Sequence, residues 1–163
     1  MKKLPLLMMA MTMVLAACSS IECPLNNTVC ATYYLYDTDG NKYTLADTLT
    51  VFTKKHTTNE DTILLNSKAN ATTFSLQMSY TGSSDLYILM MKDTLDNIVY
   101  DTITVSKTNT PHFESTECGP AFFHTIEGVT FTRHKIESVN INDKEVNYDA
   151  TKEHIQILFK SDD

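Results

Sequence analysis

The chain has 163 residues, 20 acidic against 13 basic, and a formal net charge of −7, a size that suits one domain with its own core. That balance argues against a nucleic-acid partner, because phosphate binding needs clustered Lys and Arg. It argues equally against a polybasic grip on anionic lipid.

The first residues carry a signal. Lys2 and Lys3 form a basic start, Leu4 to Ala17 is apolar but too short to span as a mature helix, and Leu15-Ala16-Ala17 leads into Cys18. Small residues before a cysteine, in place of ordinary cleavage, make a lipobox. The pattern resembles bacterial lipoprotein signals. That resemblance implies a diacylglyceryl group on the Cys18 thiol, cleavage before Cys18 and acylation of the new amine. Each buried methylene adds about 0.8 kcal/mol, so two or more acyl chains anchor far better than one. The chain then divides into a signal peptide (1–17), a lipidated tether (18–28) and a β-domain (29–163). Without Lys2 and Lys3, 11 basic residues face 20 acidic ones, a net charge of −9. No second stretch approaches the roughly 20 apolar residues of a spanning helix.

Beyond the tether the dominant period is two. Ala31 to Tyr36, Thr48 to Thr53, Thr72 to Tyr80, Leu86 to Met91, Ile98 to Val105, Lys135 to Ile141 and His154 to Phe159 read as strands. The cleanest is Thr72 to Tyr80, where Phe74, Leu76, Met78 and Tyr80 alternate with Thr73, Ser75, Gln77 and Ser79. Leu86 to Met91 is apolar on both faces and belongs in the middle of a sheet. Turn residues separate the runs at Asp39-Gly40, Thr81-Gly82-Ser83-Ser84, Asp96-Asn97, Gly119-Pro120 and Asn142-Asp143. No window carries a convincing helical stripe, and Asp149 to His154 offers one helical turn at most. These features predict an all-β fold: an immunoglobulin-like antiparallel β-sandwich of about seven to nine strands, with a small closed β-barrel as the alternative. Asp47-Thr-Leu-Thr-Val51 returns as Asp101-Thr-Ile-Thr-Val105, which two similar strand openings explain without a duplicated domain.

With Cys18 lipidated, Cys23, Cys30 and Cys118 remain, an odd count in a compartment that permits disulfides. Cys30 falls in an apolar strand pattern and reads as a small buried hydrophobe. Cys23 and Cys118 sit beside prolines in loop contexts, which favours their pairing, although sequence alone leaves the other connectivities open. Such a bridge would contribute about 4–5 kcal/mol in the chain-entropy model.

An Asp-Thr-aliphatic triplet occurs four times, placing Thr48, Thr62, Thr94 and Thr102 after an aspartate. It resembles the O-glycosylation acceptor on exported proteins of Bacteroidota, which implies modification at one or more of these threonines. The same residues also cap turns and open strands. Asp37-Thr-Asp-Gly-Asn41 has the flavour of a calcium loop, but its twelfth position is Thr48, not an acid, and a hairpin turn is the reading taken. His112, His124 and His134 could meet as a zinc site only if the strands converged them, since their spacing gives no ligand pattern. No metal, cofactor or catalytic residue is assigned.

Three further stretches, Cys18-Ser-Ser-Ile-Glu-Cys23-Pro24, His112-Phe-Glu-Ser-Thr-Glu-Cys118-Gly-Pro-Ala-Phe-Phe-His124 and Val146-Asn-Tyr-Asp-Ala-Thr-Lys-Glu-His154, resemble a Bacteroidota family of lipoproteins of unknown function. The resemblance implies a single-domain lipoprotein whose framework cysteines are Cys23 and Cys118, with Cys30 an addition. The expected protein is a non-enzymatic binding or scaffolding module. It would hang by acylated Cys18 from the outer membrane, facing the periplasm, with an envelope protein or glycan as partner. Surface display is the alternative address. A hydrolase built on His124 or His134 with a nearby carboxylate is the competing function. A carbohydrate-binding module is another, weakened by the absence of Trp and kept open by eight tyrosines.

Overall fold

The computed structural model describes residues 29–55, 58–115 and 118–160. The signal, the tether, Cys18, Cys23 and His56 lie outside these residues. The described residues contain no helix and ten strands: β1 (Cys30–Tyr36), β2 (Thr48–Lys54), β3 (Asp61–Lys68), β4 (Thr73–Gln77), β5 (Ser84–Lys92), β6 (Ile98–His112), β7 (Ala121–Phe131), β8 (Ile136–Ile141), β9 (Glu145–Val146) and β10 (Ile155–Phe159). They form two sheets, ordered β4-β1-β10-β8 and β3-β2-β5-β6-β7-β9. The sheets do not close into a barrel, so the sandwich is the architecture. Asp149 to His154 is a turn rather than helix, joined by the Lys152 N–H to the Asp149 carbonyl at 3.4 Å.

Alternation builds the core. Ala31, Tyr33 and Leu35 of β1, Phe74 and Leu76 of β4 and Ile155 and Ile157 of β10 face Leu49 and Val51 of β2, Leu89 and Met91 of β5 and Ile103 and Val105 of β6. Tyr33 ties the layers together, stacking on Phe74 at 5.0 Å within its own sheet and meeting Tyr87 of the other sheet edge-on at 6.1 Å. Such aromatic contacts add about 0.5–1.5 kcal/mol each beyond area burial. Every paired strand is antiparallel except β1 and β10, which run parallel from Tyr33↔Ile155 to Tyr36↔Leu158.

Three expectations need correction. Tyr80 does not continue the buried face of Phe74, Leu76 and Met78. The strand ends at Gln77, and Tyr80 turns out to 61% exposure. Cys30 is exposed rather than buried, because it opens β1 one residue before the inward-facing Ala31. Strand β6 runs on to His112, seven residues past Val105, and pairs with β7 from Ile103 to His112.

The echoed segments flank one strand. β2 and β6 both pair with β5, and the aspartates of the two echoed segments converge on Lys135, the residue before β8. Asp47 accepts a hydrogen bond from the Lys135 ammonium, and Asp101 accepts the Lys135 backbone N–H at 2.8 Å. The repeat is therefore a two-point clamp on the connection from β7 to β8.

A candidate binding groove and the polar network beneath it

The strands β3 and β4 are edges of opposite sheets, and near them the sandwich opens into a groove of about 870 Å³. Its walls come from the β2–β3 hairpin and from the segment linking β4 to β5. That volume lies within the range of small-molecule sites, about 300–1,000 Å³. Leu64, Met78, Tyr80 and Leu86 supply its apolar surface, and Asn59 and Gln77 bring exposed side-chain amides to it. Lys54 and Lys55 stand at the groove, but each is paired, Lys54 with Asp61 at 2.7 Å and Lys55 with Glu60 at 3.4 Å.

Asp85 and Tyr87 also line the groove, and behind them lies a buried polar network. Asp85 belongs to the inward series Asp85, Tyr87, Leu89, Met91 of β5, and Lys107 to the inward series Asp101, Ile103, Val105, Lys107 of β6. The period of two thus carries a carboxylate and an ammonium into the interior at the same end. Lys107 Nζ lies 3.6 Å from Asp85 Oδ2, donates to Asn109 Oδ1 at 2.9 Å and donates to the Ser79 carbonyl. Burial lowers the Lys107 pKa, and Asp85 works against that shift. The Ser79 hydroxyl sits within hydrogen-bonding distance of Asp85 and of the Thr81 carbonyl. Tyr87 donates to the Gln77 carbonyl at 3.2 Å, and burial raises its pKa well above the ordinary value.

Asn109 extends the network. Its amide nitrogen donates to the Gly82 carbonyl at 2.8 Å and the Tyr80 carbonyl at 3.3 Å, while its oxygen receives His124 Nδ1 at 2.7 Å. A carbonyl oxygen accepts only, so this pairing assigns the proton of His124 to Nδ1. Burial, and after it the Lys107 charge, pushes the His124 pKa down to about 4. The Lys107 backbone N–H reaches the Ser83 carbonyl at 2.8 Å. Lys107 and Asn109 together fix the turn from Ser79 to Ser83, and with it the backbone under Tyr80.

The three histidines considered for zinc do not meet. His124 bonds to Asn109, His134 Nδ1 lies 3.1 Å from Asp101, and His112 lies 3.3 Å from Glu114 while stacking on Phe123 at 4.3 Å. No cluster of three metal-ligating side chains occurs among the described residues. Each histidine meets a carboxylate or its network, but His134 serves Asp101 as part of the β7–β8 clamp, away from the groove.

The four threonines sit in four different settings. Thr48 and Thr102 are half-buried in central strands. The Thr62 hydroxyl is buried and has no hydrogen-bond partner. Thr94 is exposed at a turn in which Asp93 accepts the backbone N–H groups of Leu95 at 2.8 Å and Asn97 at 2.9 Å. The Asp37 loop has the same construction: Asp37 accepts from Asp39 at 3.0 Å and Asn41 at 2.8 Å, and Gly40 takes φ 82° where the second turn has Asp96 at φ 65°. Both are Asx-capped hairpin turns, and the carboxylate of Asp37 is held below its ordinary pKa by the Asn41 backbone N–H. Cys118 is buried at the foot of β7, and Cys30 is the free cysteine among the described residues.

A family model, DUF6452, a family of unknown function, matches residues 48–159. The chain belongs to this family. No curated protein and no solved structure matches it. The DUF6452 match starts with the first residue of β2 and stops with the last of β10. It contains every groove residue, and it leaves out β1, which lies between β4 and β10.

Proposed function

We propose that this protein is a lipid-anchored, non-enzymatic binding module of the bacterial cell envelope and that the groove between the β2–β3 hairpin and the β4–β5 segment is its binding surface. The observation that carries the reading is the groove itself: a pocket-sized concavity whose floor is rigidified by buried hydrogen bonds. The polar groups beneath it are committed to one another. Lys107 is held by Asp85, Asn109 and Ser79, and His124 by Asn109, so they position backbone rather than present a base and a nucleophile.

The lipobox supports anchoring through Cys18, with the domain facing the periplasm from the outer membrane. A Cys23–Cys118 disulfide would fasten the tether. Cys30 is the free cysteine among the described residues, which supports a pairing of the other two. So does proximity along the fold. Val29, six residues beyond Cys23, accepts the Met78 N–H at 3.2 Å, and Tyr80 stacks at 5.6 Å on Phe122, four residues beyond Cys118. An extended stretch of six residues spans about 20 Å. Of the four Asp-Thr sites, Thr94 is the one with an exposed hydroxyl-bearing turn, and glycosylation is proposed there.

Site-specific photo-cross-linking in intact cells tests the binding reading. A benzophenone side chain in place of Leu86, in the groove, should yield a reproducible adduct that the same probe in place of Lys160 does not. Absence of any adduct from the groove position would remove the binding module.

A further inference from the structure

Resting on the reading of the groove as a binding surface, we propose that its ligand is a neutral oligosaccharide, stacked on Tyr80. Three observations converge. The first is a preorganised aromatic face. Phe122 covers one side of the Tyr80 ring at 5.6 Å and 23°, yet the residue stays 61% exposed and lines the groove. Its backbone carbonyl is pinned by Asn109 at 3.3 Å, and its neighbours Ser79 and Gly82 by Lys107 and Asn109. A ring held on one face and open on the other is the platform that the C–H face of a pyranose packs against, because the sugar face is apolar while its rim is polar.

The second is the polar rim. Asn59, Gln77 and Ser84 are exposed around the groove. Amides and hydroxyls both donate and accept, which matches the alternating donors and acceptors of sugar hydroxyls. Apolar surface from Leu64, Met78 and Leu86 fills the space between.

The third is charge. Among the described residues, every ionised side chain lining the groove has an opposite partner: Lys54 with Asp61, Lys55 with Glu60 and Asp85 with Lys107. Among these residues a phosphorylated or carboxylated ligand would find no unmatched cation, and an oligoamine no unmatched anion. The groove therefore selects for uncharged, hydroxyl-rich ligands. A protein strand is disfavoured as occupant at β3, whose pairing with β2 is twice irregular, between Leu49 and Val51 and between Val51 and Phe52.

The test uses the full mature chain on an array of short neutral oligosaccharides (gluco-, manno-, galacto- and N-acetylglucosamine series) printed beside uronic-acid and sulfated counterparts, with hits titrated by calorimetry. At least one neutral series should bind saturably and no acidic series better. Tyr80→Ala should weaken the hit about tenfold or more, Tyr80→Phe should leave it near the parent value, and Tyr100→Ala, an exposed tyrosine on β6 outside the groove, should change nothing. Because Tyr80 is exposed, its truncation leaves the core intact, which the far-ultraviolet spectrum and melting temperature of the variant will verify. Binding only to acidic sugars, binding indifferent to Tyr80→Ala, or no binding overturns the ligand class. If the array is silent while Leu86 still cross-links to a protein in cells, the oligosaccharide falls and the groove remains a binding surface. If both are silent, both readings fall.

Discussion

Lys107 Nζ lies 3.6 Å from Asp85 Oδ2 with side-chain exposures of 0% and 7%. Removing either charge alone strands the other in a low-dielectric interior. Lys107→Met should therefore cost about 3–5 kcal/mol, while pairing it with Asp85→Asn should restore most of that loss. Urea unfolding of the two single variants and the double variant forms a thermodynamic cycle. Additive costs would show that the two groups do not depend on each other.

His124 is buried beside that ammonium, so it stays neutral in the fold while the unfolded chain takes up a proton near pH 6.5. Its folded pKa is depressed to about 4, so between these values the unfolded state binds the extra proton. Stability is full above pH 6.5 and falls as the pH drops towards 4. The loss is on the order of 3 kcal/mol over that window. Burial lowers the pKa of His154 as well, and it contributes in the same direction. His124→Gln should flatten the pH dependence of the urea midpoint between 6.5 and 4, and an unchanged slope would assign the effect elsewhere.

Asp101 governs a lower pH range. Burial works to raise its pKa, but the backbone N–H groups of His134, Lys135 and Ile136 and the Thr132 hydroxyl bring it below the ordinary value. Its contribution is complete above the unfolded value near 3.8 and disappears as pH falls through the folded value. Asp101→Asn keeps the shape but exchanges one acceptor oxygen for a donor facing N–H groups. It should cost about 2–3 kcal/mol at neutral pH, and should steepen loss of the β7–β8 connection in amide hydrogen exchange. Protection of Lys135 and Ile136 unaffected by the substitution would contradict the clamp.

Cys30 gives a direct probe of the thiol arrangement. The oxidised mature protein should react with a maleimide once, at Cys30, without denaturant, and peptide mapping should recover Cys23 joined to Cys118. A Cys23–Cys30 peptide, or two reactive thiols, would exclude that pairing. Cys18→Ala should abolish acyl labelling and release the domain from membranes.

Glycosylation should follow exposure. In the native host Thr94→Ala should remove a glycan mass shift that Thr62→Ala leaves in place, because the Thr62 hydroxyl is closed off from the surface. A shift abolished by Thr62→Ala would mean modification before folding.

The strands most legible in the sequence are those whose alternation is purely apolar, such as Phe74 and Leu76 of β4, or whose run is apolar throughout, such as Leu86 to Met91 of β5. Three strands escape that filter, the two-residue β9 among them. Ala121 to Phe131 of β7 carries Glu127 and Gly128 at an irregularity in its pairing with β6, so its inward parity switches from His124 and Ile126 to Val129. Asp61 to Lys68 of β3 is an edge with Ile63 60% exposed, and its apolar residues Ile63, Leu64 and Leu65 run together instead of alternating with polar ones. The network beneath the groove was hidden for a related reason. Lys107 looks like the end of a strand when only apolar residues count, yet it keeps the parity of Asp101, Ile103 and Val105. Charged residues that continue an inward series are the signal for such a network. The groove itself joins residues far apart in the chain, and no local pattern announces it.

The parallel pairing of β1 with β10 brings together residues 122 positions apart, Tyr33 with Ile155. Strand β1 is made first and β10 last, so one flank of β1 stays bare until the final strand emerges. Contacts this distant in sequence slow folding. A chain passing through a membrane channel would keep its sandwich open until the C-terminal strand was through, and an exported domain must remain unfolded for as long as its passage lasts. A copy truncated before Ile155 would leave β1 and β8 as neighbouring raw edges, a substrate for quality-control proteases rather than a smaller working domain.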